Sequence, residues 1–518
     1  MSHQQAATRS ESVNAALIGG VLCAMLAGSA FAAWPTDPAS PLVVGSAEGT
    51  FGPRQSMLVS DDGAVWVSWQ DSFCVGSVRA QRIAPDGTLL SVDGIETQDD
   101  PTCGFLLPPM MVTSGDSIVL GRAQSPTQEF PLQSLLPDGS PRWTPGYIAG
   151  DISYLQAGSS LGNGEIVLAS WGNNFHLRVD RLDAAGDSVW GGETLLPSIT
   201  GSNYRVIAAV PDELGGAIVF WDAPTAYRRV AYVNRVDEDG SIAWSSSVRI
   251  FGTDLFNEGS RHTPPVAVRD GAGGAVFVWT HGQESGSTPV PIKMQRVNND
   301  GSLSFPFEGV RVSTSADRQF DADVERDEAT GDLLITWRNG FLAETSVRAQ
   351  RMTLTGERLW GDEGVEITPL NDMNDAFDAV WNNGTLAVAI ADDNGVRVHR
   401  VDGSGTPIDE TWTAASSGPA ESVVMKAADD ALVISWQHNG PGNDDPILAQ
   451  RINPNGLLGG PMCNAADFTG DGSLDVFDVF AFLDAFNNAQ QPADFVPDGL
   501  FDIFDVFAYL DAFNAGCP

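Results

Sequence analysis

Between Leu333 and Gly356 the chain alternates apolar and polar residues twice. Leu333-Leu-Ile-Thr-Trp337 is the first run and Ser346-Val-Arg-Ala-Gln-Arg-Met352 the second. Thr353-Leu-Thr-Gly356 closes a turn. Alternation over about four to eight residues predicts half-buried strands, and the glycine predicts a tight turn. The unit recurs at Val78–Ile83 with Gly87, Leu177–Leu182 with Gly186, Ala231–Val236 with Gly240 and Ile292–Val297 with Gly301. It recurs again at Val396–Val401 with Gly405 and Leu448–Ile452 with Gly456, and more weakly at Leu132-Gln133 with Gly139. The apolar run before the unit often ends in tryptophan, at Trp69, Trp171, Trp221, Trp279, Trp337 and Trp436.

The turn glycines are spaced by roughly 50 residues, the length of a four-stranded propeller blade. Copy five shows all four strands: Pro265–Val268, Gly274–Trp279, Ile292–Val297 and Gly309–Ser313. The fold expected is therefore mainly β, a β-propeller of about eight blades, seven being the other possible count. The eighth copy lacks its fourth strand, because Leu457-Leu-Gly-Gly-Pro461 runs straight out. Pro41-Leu-Val-Val-Gly-Ser46, ahead of the first copy, aligns with Glu308–Ser313 and supplies the missing strand. Leu42–Val44 is expected beside Leu448–Arg451, closing the ring and removing the open edges that invite aggregation.

Three regions follow: a signal peptide at 1–32, the repeat domain at 33–459 and a distinct module at 460–518. The first has Arg9, an apolar run over 15–33 and small residues at Ala30 and Ala32, the pattern of a secretory leader cleaved after Ala32. No later stretch is long and apolar enough to span a membrane, so the mature chain is expected to be secreted or held at the cell surface. Formal net charge is −39, with lysine only at 293 and 426. This argues against nucleic acid and anionic membranes as partners. Without Cys23 of the leader, four cysteines remain as two local pairs, Cys74 with Cys103 and Cys463 with Cys517. Exported chains use such pairs as disulfides.

A residue that recurs in every blade serves the blade: tryptophan by packing between sheets, arginine through inter-blade ion pairs or hydrogen bonds. Function belongs where the copies differ. The variable segments after the second strand include 173–176, 226–229, 281–284, 392–394 and 438–445, gathered on one face that could take a carbohydrate. No His-Glu-x-x-His occurs. Asp239-Gly240-Ser-Ile-Ala-Trp244 fails as a sialidase-type Asp-box, because its Asp and Gly are adjacent.

The last region carries oxygen donors at calcium-loop spacing. Asp467, Thr469, Asp471, Asp475 and Asp478 occupy loop positions 1, 3, 5, 9 and 12, with Gly472 at 6 and the Ser473 carbonyl at 7. A second copy offers Asp494, Asp498, the Leu500 carbonyl, Asp502 and Asp505, but has Val496 at position 3, so the second of two calcium ions is expected to bind more weakly. Each loop runs into nearly the same helix. From 463 to 518 there are ten aspartates and no Lys, Arg, Glu or His, so calcium and folding should be coupled. The surplus phenylalanines and tyrosine of these helices are expected to stay exposed until a partner covers them.

These paired loop–helix units resemble type I dockerin modules, the EF-hand-type docking units of polysaccharide-degrading assemblies. The resemblance covers about the last 56 residues and implies bound calcium and a cohesin-like or cell-envelope partner. At loop positions 10 and 11, where cellulosomal dockerins carry small hydroxyl residues, this chain has Val476-Phe477 and Ile503-Phe504. The primary functional reading is a non-catalytic binding propeller displayed through the module. The alternative is a carbohydrate-active enzyme of polysaccharide breakdown targeted by it. Paired carboxylates at the propeller's centre would favour the enzyme; a flat or empty channel would favour the binder.

Overall fold

The computed structural model describes residues 34–48, 55–70, 78–98, 110–121, 131–143, 147–148, 152–172, 177–197, 205–224, 229–253, 266–281, 290–341, 344–370, 375–416, 418–439, 444–470, 472–496 and 498–516. They form eight four-stranded antiparallel sheets. Seven of these use consecutive strands. The eighth runs Leu42–Glu48, Asp444–Ile452, Ala431–His438, Ala420–Ala428, so the first strand of the chain closes the last blade. Leu42 pairs with Ala449, Val43 with Leu448 and Gly45 with Ile447. This is the closure the repeat alignment predicts. Blade five has Val266–Arg269, Ala275–Thr280, Ile292–Val297 and Val310–Arg311, within about two residues of the expected bounds.

The first strand of every blade touches the first strand of the next, and that of blade eight touches that of blade one. These strands form the inner ring. The apolar core lies between neighbouring sheets, as in the cluster that joins Val276, Val278 and Met294 of blade five to Val324, Ile335 and Trp337 of blade six.

The recurrent residues hold the ring as follows. Trp69, Trp221, Trp279, Trp337 and Trp436 are buried between blades. The recurrent glutamine ties down its own blade's outer loop: Gln295 Nε2 donates to the Phe305 and Pro306 carbonyls, and Gln350 Nε2 to that of Gly361. The recurrent arginine forms its ion pairs inside its own blade, Arg235 with Asp212, Arg296 with Asp270, and Arg351 with Asp327 and Asp332. It reaches the next blade through hydrogen bonds, Arg181 to the Gly215 and Glu238 carbonyls and Arg351 to that of Gly403. The sequence expectation of inter-blade links thus holds for the hydrogen bonds, whereas the carboxylate partners come from the turn joining the first two strands of the same sheet.

A second aromatic set was not evident from the first. Trp143, Trp190, Trp244 and Trp360 donate Nε1–H to a carbonyl of the next blade's turn, at Ala184, Glu238, Asn299 and Gly403. Each lies under that turn's glycine: a Cβ on Gly405, whose φ is +89°, would stand 2.7 Å from the Trp360 ring. Trp34, 3% exposed, does the same for blade one by donating to Pro85. The N-terminal segment therefore restores both the strand and the aromatic that blade eight lacks.

Gly405→Ala should cost both the left-handed strain and the collision with Trp360, roughly 2–3 kcal/mol together. Gly384→Ala, at φ +78° with nothing within 4 Å, should cost only the strain, about 1 kcal/mol. Urea denaturation of both variants compares them, and equal losses would remove the aromatic from the explanation.

Candidate functional site

The C-terminal helices, α1 (Val476–Asn487) and α2 (Ile503–Ala515), each begin with a reciprocal capping box, Asp475 with Asp478 and Asp502 with Asp505. The loops before them fold around their first and last acids. Asp467 is fully buried and accepts N–H bonds from Cys463, Gly470 and Gly472 at 2.8–2.9 Å. Asp478, also fully buried, accepts from the Thr469 N–H and hydroxyl and from the Asp475 N–H. In the second loop Asp494 accepts from Asp498 and Gly499, and Asp505 from Val496 and Asp502. Among the described residues no three acidic, His or Cys side chains converge as a metal cage. Asp471 lies outside them, and Ser473 and Leu500 enter the expected ligand set only through their carbonyls. Cys463 is disulfide-bonded; Cys74, Cys103 and Cys517 lie outside the described residues.

The two helices pack through Phe468, Phe482, Phe495 and Tyr509. Tyr509 is buried and stacks on Phe482 with ring centroids 3.9 Å apart, so the expectation of an exposed tyrosine is corrected. Phe477, Phe480, Phe504 and Phe507 remain 56–63% exposed, as expected. The module meets the propeller where Arg451 Nη1 donates to the Gly460 carbonyl at 2.9 Å and Leu457 packs against its core.

Of the variable propeller loops, 173–176, 226–228, 282–289 and 440–443 lie outside the described residues. His281 lies at the edge of one; its Nε2 and the Lys293 ammonium are each 3.7 Å from Glu308. Burial, aided by Lys293, pushes the imidazole down to about 4.

Three carboxylates and one of the two lysines meet on the inner ring. Asp323 and Glu325 are two residues apart on the inner strand of blade six (Gln319–Arg326), which places them on one face of it. Asp378 is on the inner strand of blade seven (Ala376–Asn382) and Lys426 on that of blade eight (Ala420–Ala428). Two of the carboxylates reach the next blade: Glu325 accepts the Trp381 N–H at 2.5 Å and Asp378 the Met425 N–H at 2.7 Å. Asp323 accepts the Val324 N–H at 2.8 Å.

Burial pushes the Glu325 carboxyl up to about 7, against the Trp381 N–H and Lys426, with Asp323 and Asp378 adding to the rise. Burial likewise pushes Asp378 up to about 6, with Asp323 repelling it and Lys426 opposing the shift. Asp323 also lies above the usual carboxylate range, again mainly through burial. For Lys426 burial favours the neutral amine, but Asp378, Glu325 and Asp323 outweigh it and hold the ammonium above its ordinary value. The cluster therefore gathers carboxyls raised toward neutral pH beside a fixed cation. Sequence reasoning missed it, since the members come from three different copies. The available signal was the departure of Lys426 from an almost lysine-free chain.

No family model matches the chain, and no curated protein does. Solved structures with similar chain traces include a puromycin hydrolase (16% identity, TM-score 0.41, covering 68% of this chain and 52% of that one). Others are the polysaccharide lyase Uly1 (9% identity, TM-score 0.39, 66% and 89%) and an α-L-arabinanase of Penicillium chrysogenum (14% identity, TM-score 0.33, 60% and 96%). The chain spans about half the length of the puromycin hydrolase. At these scores the fold assignment rests on the strand pairing itself.

Proposed function

We propose that the chain is an exported, carbohydrate-active propeller whose acid–base groups are Glu325 and Asp378, carried on a dockerin-like calcium module. The observation that supports it is the inner-ring cluster, whose paired carboxylates favour the enzyme over the binder. Cleavage of a glycosidic bond needs one carboxyl to protonate the leaving oxygen and one carboxylate to activate water or meet the developing positive charge. Glu325, pushed up to about 7, keeps its proton near neutral pH and is the donor. Asp378, pushed up to about 6, is the carboxylate at the same pH. Lys426 keeps Asp378 from rising further. Asp323 tunes the pair through its charge. The full chain should release reducing sugar from a polysaccharide in a panel of plant, algal and bacterial glycans, and Glu325→Gln should lose about 100-fold or more in turnover. Unchanged turnover in Glu325→Gln overturns the assignment.

The module part of the proposal rests on the donor set. Asp467 and Asp478 are buried facing acids in a segment with no basic side chain, and the remaining donors at calcium-loop spacing are all oxygens. A hard dication suits that set. In the first loop Asp467, Thr469, Asp471, Asp475, Asp478 and the Ser473 carbonyl would hold it. In the second, Asp494, Asp498, Asp502, Asp505 and the Leu500 carbonyl would. Calcium would neutralise the acids, and the disulfide from Cys463 to Cys517 would tie the module's ends. The exposed phenylalanines of both helices suit a cohesin-like or envelope protein. Asp467→Ala should cost more helicity than Asp494→Ala in a calcium titration of the full chain followed by circular dichroism. The reverse order, or no calcium effect on either variant or the wild type, contradicts this part.

A further inference from the structure

Immediately after the buried tryptophan of the second strand, the blades carry Gln70, Asp222, Thr280 and Gln437, but blade six carries Arg338. A cation here breaks the repeat. Arg338 is 5% exposed, and its Nη2 donates to the Asp375 carbonyl of blade seven at 2.6 Å. Its Nε donates to Asp321 at 3.2 Å. Asp321 has φ +53° and lies in a register shift between Phe320 and Asp323, so the inner strand of blade six bulges at this point. Arg338 Nη1 is buried and has no acceptor. Several other arginines have a buried partnerless Nε, but among the described residues only Arg338 has a buried partnerless terminal guanidinium nitrogen. Buried N–H groups are almost always paired, so a persistent orphan calls for an acceptor supplied from elsewhere.

The same guanidinium is bracketed by two half-buried rings, Phe320 at 5.8 Å and Phe377 at 5.7 Å, one from each inner strand. Phe377 directly precedes Asp378, and Phe320 precedes Asp323 on the bulged strand. The aromatic–guanidinium pair therefore lies on the same inner strands as the carboxylates, about 10 Å from Asp323 and about 16 Å from Glu325 along the strand of blade six, with Phe377 and Asp378 on opposite faces of the strand of blade seven. Apolar ring faces beside a fixed N–H donor and a carboxylate acceptor match the amphipathic surface of a sugar, whose C–H face packs on aromatics while its hydroxyls are hydrogen-bonded.

The geometry points to a sugar-binding subsite at the seam of blades six and seven, built from Phe320, Phe377, Arg338 and Asp321, which takes an uncharged sugar residue of an oligosaccharide whose chain continues along the inner strands to the carboxylate cluster. This rests on the proposed function and names its substrate class. The sugar is uncharged because Asp321 already pairs with the guanidinium and three more acids lie farther along the inner ring, so a uronate would meet net repulsion. A hydroxyl or ring oxygen meets none and supplies the missing acceptor.

The test is an equilibrium titration of the full chain in calcium with uncharged hexasaccharides of glucose, xylose, mannose and arabinose, and with an oligogalacturonate of equal length. One uncharged series should bind and the oligogalacturonate should not. Phe377→Ala and Arg338→Lys should each weaken binding at least tenfold, whereas Glu325→Gln should bind as the wild type does but fail to turn over. Phe320→Leu keeps an apolar side chain in place and should also weaken binding, so loss of fold in one variant does not hide the answer; thermal unfolding of each variant reports that fold. Preference for the oligogalacturonate overturns the inference. So does binding indifferent to all three substitutions, even where Glu325→Gln abolishes turnover and the catalytic reading stands. Binding that depends on these residues without turnover supports the subsite and contradicts the catalytic reading instead.

Discussion

Deleting residues 33–46 is expected to leave the propeller unable to close, with the chain aggregating rather than folding. The deletion removes Trp34, Leu42 and Val44, which are 3%, 7% and 0% exposed. At about 1.5–3 kcal/mol for each large buried side chain, their loss is comparable with a domain's whole stability of roughly 5–15 kcal/mol. It also leaves Asp444–Ile452 without its outer partner, an edge of unpaired backbone groups. Two further ties go with it: Gln450 Nε2 donates to the Pro35 carbonyl at 2.7 Å, and the Ser416 N–H to that of Pro38 at 3.0 Å. Size-exclusion chromatography and circular dichroism of the deleted chain decide the matter. A monomeric, fully β deletion variant contradicts ring closure as the source of stability.

Lys426→Met should be the most damaging single substitution in the inner ring. At pH 8 it leaves Asp323, Glu325 and Asp378 half-buried without their shared cation, and removing one partner of a buried charge set costs roughly 3–5 kcal/mol. The sign of the pH dependence follows from the acids. Their folded-state values lie above their unfolded ones, so the native state holds more protons between about pH 4 and 7 and loses stability as pH rises through that window. Without the lysine the carboxyls should rise further and the loss should extend upward in pH. Acidification to pH 5 protonates Glu325 and Asp378 and should restore most of the variant's stability. Lys426 itself is protonated throughout this range, so it adds no slope of its own. Guanidinium unfolding of both proteins at pH 5 and 8 measures the difference. An equal penalty at the two values would mean that lost packing, not charge, explains it.

Eight blades were legible because each blade repeats one turn, and that turn needs a glycine: Gly87 through Gly456 all have positive φ. The closing strand was legible for the same reason, since its pattern matches the fourth strand that blade eight lacks. The aromatic under each turn was legible too, as Gly139/Trp143, Gly186/Trp190, Gly240/Trp244 and Gly356/Trp360 share one spacing. That regularity is overlooked when Asp239–Trp244 is read only as a failed Asp-box. The inner-ring cluster could not be read in this way. Asp323 and Glu325 alternate like any solvent-facing pair of a strand, and nothing local says that their face turns inward toward Asp378 and Lys426. Burial raises the carboxyl values, and burial belongs to the closed ring rather than to any one repeat. Arg338 illustrates the same limit. Its place where other copies carry a neutral or acidic residue is visible in the alignment of copies, but its orphan Nη1 and flanking rings exist only once blades six and seven pack.

The measurement that bears most directly on the account is the pH dependence of reducing-sugar release by the full chain, alongside Glu325→Gln. Glu325 must hold its proton and Asp378 must lose its own, so turnover should rise through about pH 6 and fall through about pH 7. The two carboxyls interact, so these limbs belong to the pair. In Glu325→Gln the residual turnover should be about 100-fold lower or less, and the limb near pH 7 should be gone. No release from any polysaccharide, or an unaltered bell in Glu325→Gln, contradicts a carbohydrate-active site on the inner ring.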